Sequence, residues 1–234
     1  PLYNIYLNNY YDSSNKVISN KIYVYFHICL LGDWKDVVSR LFFAIYNSSL
    51  YNYVDEIRCV VLGDENIDIL STISNSNFDK NNKVKIIYRS NNLFEYEKAT
   101  INILLDDVKD KEEDNYILYI HSKGVTKSDN KCIKDWVNYL TYFNIYKFND
   151  CLNKLNDYDC VGVNLQVGDD YPLHYSGNFW WSKGSHIKKL NKITDNMYNS
   201  SEFWVTSLSD KKYASLWNSN INHYFELYDS SLYS

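Results

Sequence analysis

The 234-residue sequence predicts an α/β protein with a mostly parallel central sheet flanked by helices, a Rossmann-like arrangement. Three observations carry this. Apolar, β-branched and aromatic runs of strand length recur at residues 21–29, 56–62, 83–88, 116–120 and 160–165. Between them lie stretches with apolar residues at three- and four-residue steps, the mark of helices with one buried face. Strand and helix alternate in short units over the first 125 residues, which gives parallel neighbours through right-handed crossovers.

Taken in order, residues 1–20 are rich in Asn, Tyr and Ser without a sustained period, and an extended lead-in is expected. KIYVYFHIC at 21–29 is the first strand. Asp33 then stands as N-cap of a helix in which Trp34, Val37, Val38, Leu41, Phe42 and Ile45 form one apolar face, ending near Ser48, Ser49 and Tyr51. EIRCVVL at 56–62 is the second strand, closed by Gly63 and Asp64, and 83–88 is the third, ending at Arg89, Ser90 and Asn91. From Glu95, the positions Tyr96, Thr100, Ile103, Leu104 and Val108 mark a helix face. The fourth strand, 116–120, stops abruptly at His121, Ser122, Lys123 and Gly124.

After a polar loop at 126–130, one long helix is expected over 133–155, with Trp136, Leu140, Phe143, Cys151, Leu152 and Leu155 inside. CVGVNL at 160–165 is a further strand. A loop with Gly168, Asp169, Asp170 and Pro172 leads to HYSGNFWW at 174–181. Read as one strand, this puts His174, Ser176, Asn178 and Trp180 on one face and Tyr175, Phe179 and Trp181 on the other. Gly177 within it suggests close approach by a ligand or another backbone. A short helix is expected at 185–190, the segment 200–208 brings Glu202 into an aromatic setting, and the aromatic tail from Tyr213 is expected to pack back on the body.

A formal charge of −5 without long like-charge blocks excludes the basic stripe that nucleic-acid binding needs. Five cysteines, without CxxC spacing, support neither a zinc site nor a disulfide framework, and buried free thiols in a reducing compartment are expected. With no apolar run of about 18 residues, no membrane span is expected and the chain reads as cytoplasmic. A start at Pro1 suggests one module of a longer chain: a single domain over 1–234, with 1–125 as a nucleotide-binding half and 126–234 as an acceptor half.

In an open α/β sheet, ligands bind outside the carboxyl ends of the strands, so the polar cluster after residue 120 is placed for chemistry. Lys123 is the first candidate anion holder. The strand-terminal His27, Asp64 and Arg89 are positioned to meet base, ribose and phosphate.

Several segments together resemble a group of glycosyltransferase-like proteins with a GT-A fold, whose members read YIHTKG, then Trp, then SGNFWW, then EFW. Here they are YIHSKGV at 119–125, Asp135 with Trp136, VGVNL at 161–165, HYSGNFWW at 174–181 and SEFWV at 201–205. The resemblance spans roughly residues 22–208. It implies transfer of a hexose or deoxyhexose from a nucleotide-sugar donor to a glycan hydroxyl, with inversion as the expected course and a retaining front-face mechanism as the alternative.

In GT-A enzymes the strand matching 116–120 usually ends in Asp-x-Asp, which holds a divalent cation on the donor diphosphate. Here His121, Ser122 and Lys123 occupy that slot, so lysine brings its own positive charge for the leaving diphosphate. A divalent cation, Mn or Mg, stays possible but no metal residue is assigned. His121 is either a phosphate or metal contact or a structural histidine. Asp106 and Asp107 read as helix surface, and Asp169 and Asp170 as a better metal candidate that also suits a turn. Glu202 is the expected base taking the acceptor proton, and its Phe203 and Trp204 neighbours are expected to raise its pKa. Ser122, Ser176, Gly177 and Asn178 are expected at the donor sugar or diphosphate, with Trp180 stacking on a sugar ring. Glu97 falls in a partial match to a YExPT-like motif, in which Ala99 replaces proline. A non-catalytic nucleotide- or glycan-binding domain of the same fold is the alternative function. A nucleotidyltransferase would need a Gly-rich basic phosphate loop early in the chain, which is absent.

Overall fold

The computed structural model describes residues 20–74, 79, 81–168 and 171–234. The expected lead-in, apart from Asn20, and the candidate pair Asp169 and Asp170 lie outside the described residues. The α/β class expected from the sequence is the class observed, a mostly parallel sheet flanked by helices.

The strands are β1 (Ile22–Cys29), β2 (Glu56–Leu62), β3 (Val84–Ser90), β4 (Tyr116–His121), β5 (Cys160–Gly162), β6 (Leu165–Gln166), β7 (His174–Tyr175), β8 (Trp180–Lys183) and β9 (Tyr213–Ser215). The helices are α1 (Trp34–Asn47), α2 (Leu50–Tyr53), α3 (Ile69–Ser74), α4 (Lys98–Lys109), α5 (Lys131–Thr141), α6 (Phe148–Lys154), α7 (Gly184–Ile187) and α8 (Ser200–Trp204). One seven-stranded sheet runs in the order β3-β2-β1-β4-β8-β5-β9, and β6 pairs with β7 in a separate ribbon. β1 is parallel to β2 and β4, β2 to β3, and β5 to β9, whereas β8 is antiparallel to both its neighbours. β1 is buried along all but its last residue, because helices cover both faces of a central parallel strand.

α1 buries the expected face, but Asp33 sits at its N-cap without a side-chain cap bond. α4 begins later than expected. The turn Leu93–Glu95 is followed by Tyr96 at φ +48°, a left-handed value that no helix can pass through, and Thr100, Ile101, Leu104, Leu105 and Val108 then form the buried face. The single helix expected over 133–155 is three pieces: α5, a π-helical turn at Tyr142–Tyr146, and α6. The wider turn leaves the Asn144 carbonyl to accept the Trp181 indole N–H at 2.8 Å. All six residues expected on the inner side are buried.

Two expected strands are corrected. Residues 160–165 divide at Asn164, which has φ +49°, and 174–181 divide at Gly177 and Asn178, with φ +97° and +55°. Two successive left-handed residues cannot continue a strand, so they reverse the chain between β7 and β8 and end the alternation of faces. The helix expected at 185–190 is the shorter α7, and the segment 200–208 opens with α8. The tail contributes β9 to the sheet and then packs Tyr228 and Tyr233 edge-on to Tyr139, at 5.4 and 5.3 Å. All five cysteines are free, with Cys59, Cys151 and Cys160 buried and Cys29 and Cys132 half-buried. Among the described residues no helix is long and apolar enough to cross a membrane.

Candidate functional site

Because β1 to β4 are mutually parallel, their carboxyl ends share one edge of the sheet, with His27 beside His121 in register. β8 enters antiparallel, pairing Trp180 with Tyr119, so the 176–179 turn stands over that same edge.

Lys123 stands two residues beyond the end of β4. Its ammonium lies 3.8 Å from the centre of the Trp136 ring and makes no hydrogen bond or ion pair among the described residues. Burial pushes its pKa below the usual lysine range, Glu202 and Glu97 pull it back up, and Lys127 adds to the fall. The ring face of Trp136 is the one close partner of this cation among the described contacts, an attraction that strengthens as water is removed. A desolvated ammonium without a counter-ion attracts anions strongly.

Beneath it, Glu97 is the junction of a buried network. Its Oε2 accepts from the Tyr119 hydroxyl and from Asn178 Nδ2, both at 2.7 Å, and the Asn178 Oδ1 accepts from Trp180 Nε1 at 2.9 Å. The His121 Nε2 donates to the Gly177 carbonyl at 3.0 Å. Burial, then Lys123, hold this imidazole at about 3, against the Gly177 bond and Glu202, so it is neutral at pH 7. The proton is on Nε2, and the Nδ1 lone pair therefore faces Glu97 Oε1 at 3.5 Å as a second acceptor rather than as an ion pair. These two atoms suit a hydroxyl donor or a cation. Among the described residues no group of three or more His, Cys, Asp or Glu is arranged to hold a metal ion.

A cleft of about 730 Å³ opens beside this edge, between residues 166–168, Tyr171, His174 and Ser176 on one side and α8 and the 220–224 stretch of the tail on the other. Glu202 and Ser176 line it, and so does Trp136. Glu202 is close enough to act electrostatically on Lys123, His121, Tyr198 and Tyr224.

The structure thus brings Lys123, His121, Glu97, Glu202 and Ser176 to one region. His27 lies below them, buried, with Nδ1 2.8 Å from Thr100 Oγ1 and its pKa held at about 4 by burial. Ser122 is buried too, its hydroxyl accepting from the Cys29 amide at 2.9 Å, and ties β4 to β1. Three expectations are corrected. Trp180 has no exposed surface and stacks on Tyr119 at 5.0 Å, so it cannot stack on a sugar. Asn178 is 1% exposed with its side chain spent between Glu97 and Trp180. The close approach at Gly177 is by side chains of α5, since a Cβ there would lie 2.7 Å from Leu140 Cδ1 and 3.0 Å from Trp136 Nε1. Asp64 and Arg89 stay on the loops after β2 and in β3: Asp64 caps Asn66 at 2.9 Å, and Arg89 donates to the Ile67 carbonyl at 2.9 Å.

Sequence reasoning missed the contribution of the tail. His223 stacks on Trp136 at 5.3 Å with planes 8° apart, and Tyr224 meets the same indole edge-on at 5.0 Å. No local pattern signals contacts across that distance in sequence. The Ser-Gly-Asn turn, by contrast, carried its own signal.

Residues 51–223, most of the chain, match the family described as Domain of unknown function (DUF8361). The chain belongs to DUF8361. Among solved structures, this DUF8361 chain is similar to the crystal structure of S. aureus TarS 1-349, at 12% identity and a TM-score of 0.42, over 83% of this chain and 60% of that one. It spans less than two thirds of that protein. A second similar structure is that of 4-diphosphocytidyl-2C-methyl-D-erythritol synthase, at 11% identity and a TM-score of 0.40, over 92% of this chain and 95% of the other. No curated protein matches.

Proposed function

We propose that this DUF8361 chain is a GT-A glycosyltransferase that moves a hexose or deoxyhexose from a nucleotide sugar to a glycan hydroxyl, with inversion. The observation that carries the reading is the Lys123 ammonium, held over Trp136 at the carboxyl edge of a parallel sheet and lacking any ion pair among the described residues. Such a charge is placed for a diphosphate. As the acceptor oxygen attacks the anomeric carbon, the bond from that carbon to the diphosphate oxygen breaks, and its electron pair leaves with the nucleoside diphosphate. Lys123 stabilises the charge that develops there, and the Glu202 carboxylate takes the acceptor proton. His121 and Glu97 shape the floor. A divalent cation would find Glu97 Oε1 and His121 Nδ1 as ligands, with diphosphate oxygens and water completing its shell.

A non-catalytic binding domain is the second reading, favoured by His121, Ser122 and Lys123 in the Asp-x-Asp slot. Melting the protein with UDP, GDP, dTDP and CMP and their sugars, each with manganese or with EDTA, tests the donor site. One nucleotide is expected to raise the midpoint by several degrees, since ligands that bind the folded state stabilise it. Retention of that shift in EDTA fits Lys123 as the anion holder, and no shift under either condition overturns the donor site. Glu202→Gln separates the two readings: it is expected to keep the nucleotide shift and to lose transfer by about 10²- to 10⁴-fold. A wild-type protein that binds donor but never turns it over is a binding domain.

A further inference from the structure

We propose that the cleft beside Glu202 is a groove for a neutral oligosaccharide, gripped between two aromatic walls. This rests on the reading of Glu202 as the base at the acceptor hydroxyl, and it names the acceptor class. One wall is Tyr171 and Phe203, 6.1 Å apart at 34°, with His174 edge-on to Phe203 at 5.3 Å. The other is Tyr224, backed by Trp136, which it meets edge-on, and by His223 stacked on that indole, both of them buried. Tyr171 and Tyr224 both line the cleft and are 54% and 49% exposed, so each has ring surface to offer a ligand there. A pyranose ring carries faces of C–H groups with slight positive charge, which pack on the negative face of an aromatic ring.

The polar lining completes the argument. Amides of Gln166, Asn199, Asn220 and Asn222 and the Ser176 hydroxyl line the cleft. Amides and hydroxyls donate and accept at once, as sugar hydroxyls do. Among the described lining residues there is no lysine or arginine, and Glu202 is the sole charged side chain. Within that lining an acidic or phosphorylated acceptor would meet a carboxylate and no lysine or arginine, Lys127 standing outside it at 5.4 Å from the Tyr224 ring, whereas a neutral glycan meets hydrogen-bonding partners. At about 730 Å³ the cleft has the volume of a site that encloses a sizeable small molecule rather than a single ion. The Lys123 ammonium, against the Trp136 ring, is not among the residues that line the cleft.

An array of neutral and acidic oligosaccharides, followed by titration calorimetry on the hits, tests the groove with the whole chain. Neutral glycans are expected to bind, acidic ones to bind at least tenfold more weakly, and Tyr171→Ala and Tyr224→Ala each to weaken neutral binding by about tenfold, the scale of one lost aromatic contact. Both positions are half exposed, and the melting midpoint and circular dichroism spectrum of each variant report that the fold is intact. Preference for acidic glycans overturns the inference, as does neutral binding that ignores both substitutions. An array empty of neutral hits, in a protein whose melting still responds to nucleotide, overturns it while leaving the donor site standing. Neutral binding sensitive to both substitutions, in a protein that no nucleotide stabilises, upholds the groove and removes the transferase reading instead.

Discussion

Replacing Lys123 by methionine separates a charge kept for catalysis from one kept for structure. Methionine retains most of the side-chain length and its packing on Trp136 but removes the ammonium. Two effects on stability oppose each other: a cation–π contact at 3.8 Å, worth about 2 kcal/mol when desolvated, is lost, and the cost of holding the charge away from water is relieved. The depressed pKa shows that desolvation outweighs the attractions to Glu202 and Glu97. Lys123→Met is therefore expected to melt at or above the wild-type midpoint at pH 7, with transfer lowered by about 10²- to 10³-fold, the effect of deleting one group aimed at developing charge. The two proteins also differ in pH dependence. Below the ordinary lysine value of 10.5 the unfolded chain holds the Lys123 proton more tightly than the folded one, so wild-type stability rises with pH through the interval between the two pKa values. Lys123→Met lacks that rise, and its stability advantage is expected to shrink as the solution becomes alkaline. Urea titrations at several pH values and a coupled nucleoside-diphosphate release assay read both quantities. A variant that keeps transfer within about threefold, or that loses more than about 2 kcal/mol of stability, would refute the reasoning.

Acid should destabilise the fold well above the carboxylate range. His27, His121 and His223 are held at about 4, 3 and 4 by burial, so the unfolded chain takes up protons from pH 6.5 downward while the folded chain does not. Each contributes up to roughly 1.4 kcal/mol per pH unit in that window, and an unfolding midpoint in urea unchanged between pH 7 and pH 5 would refute the neutral, buried assignment. Gly177→Ala is expected to cost about 2 to 5 kcal/mol, combining a left-handed backbone at φ +97° with a Cβ 2.7 Å from Leu140, and a melting point within a degree of wild type would show that α5 yields.

What was legible in the sequence, and what was not, follows from how far apart the deciding residues are. β1 and β4 announce themselves because a strand covered on both faces is apolar along most of its length, β2 through its Cys59–Leu62 run, and α1 because its period is local. The polar stop at His121 marked the right edge of the sheet for the same reason. Within 174–181, alternation was the wrong rule. β8 is buried on both faces, so reading Trp180 as the outward partner of His174 had no physical basis, and the Gly-Asn pair at 177 and 178 was itself the signal for a reversal. Lys123 was recognisable as a candidate by position alone, yet its distinguishing property depends on residues far along the chain. Trp136 takes the cation on its ring, and His223, a hundred residues downstream, stacks on the same indole and helps to bury it. A lysine in a solvated turn and a desolvated anion holder therefore share the same local sequence. The tail, whose aromatic sequence predicted that it packs back but not where, is the element that distinguishes them, because its rings help to bury the indole against which the Lys123 charge lies.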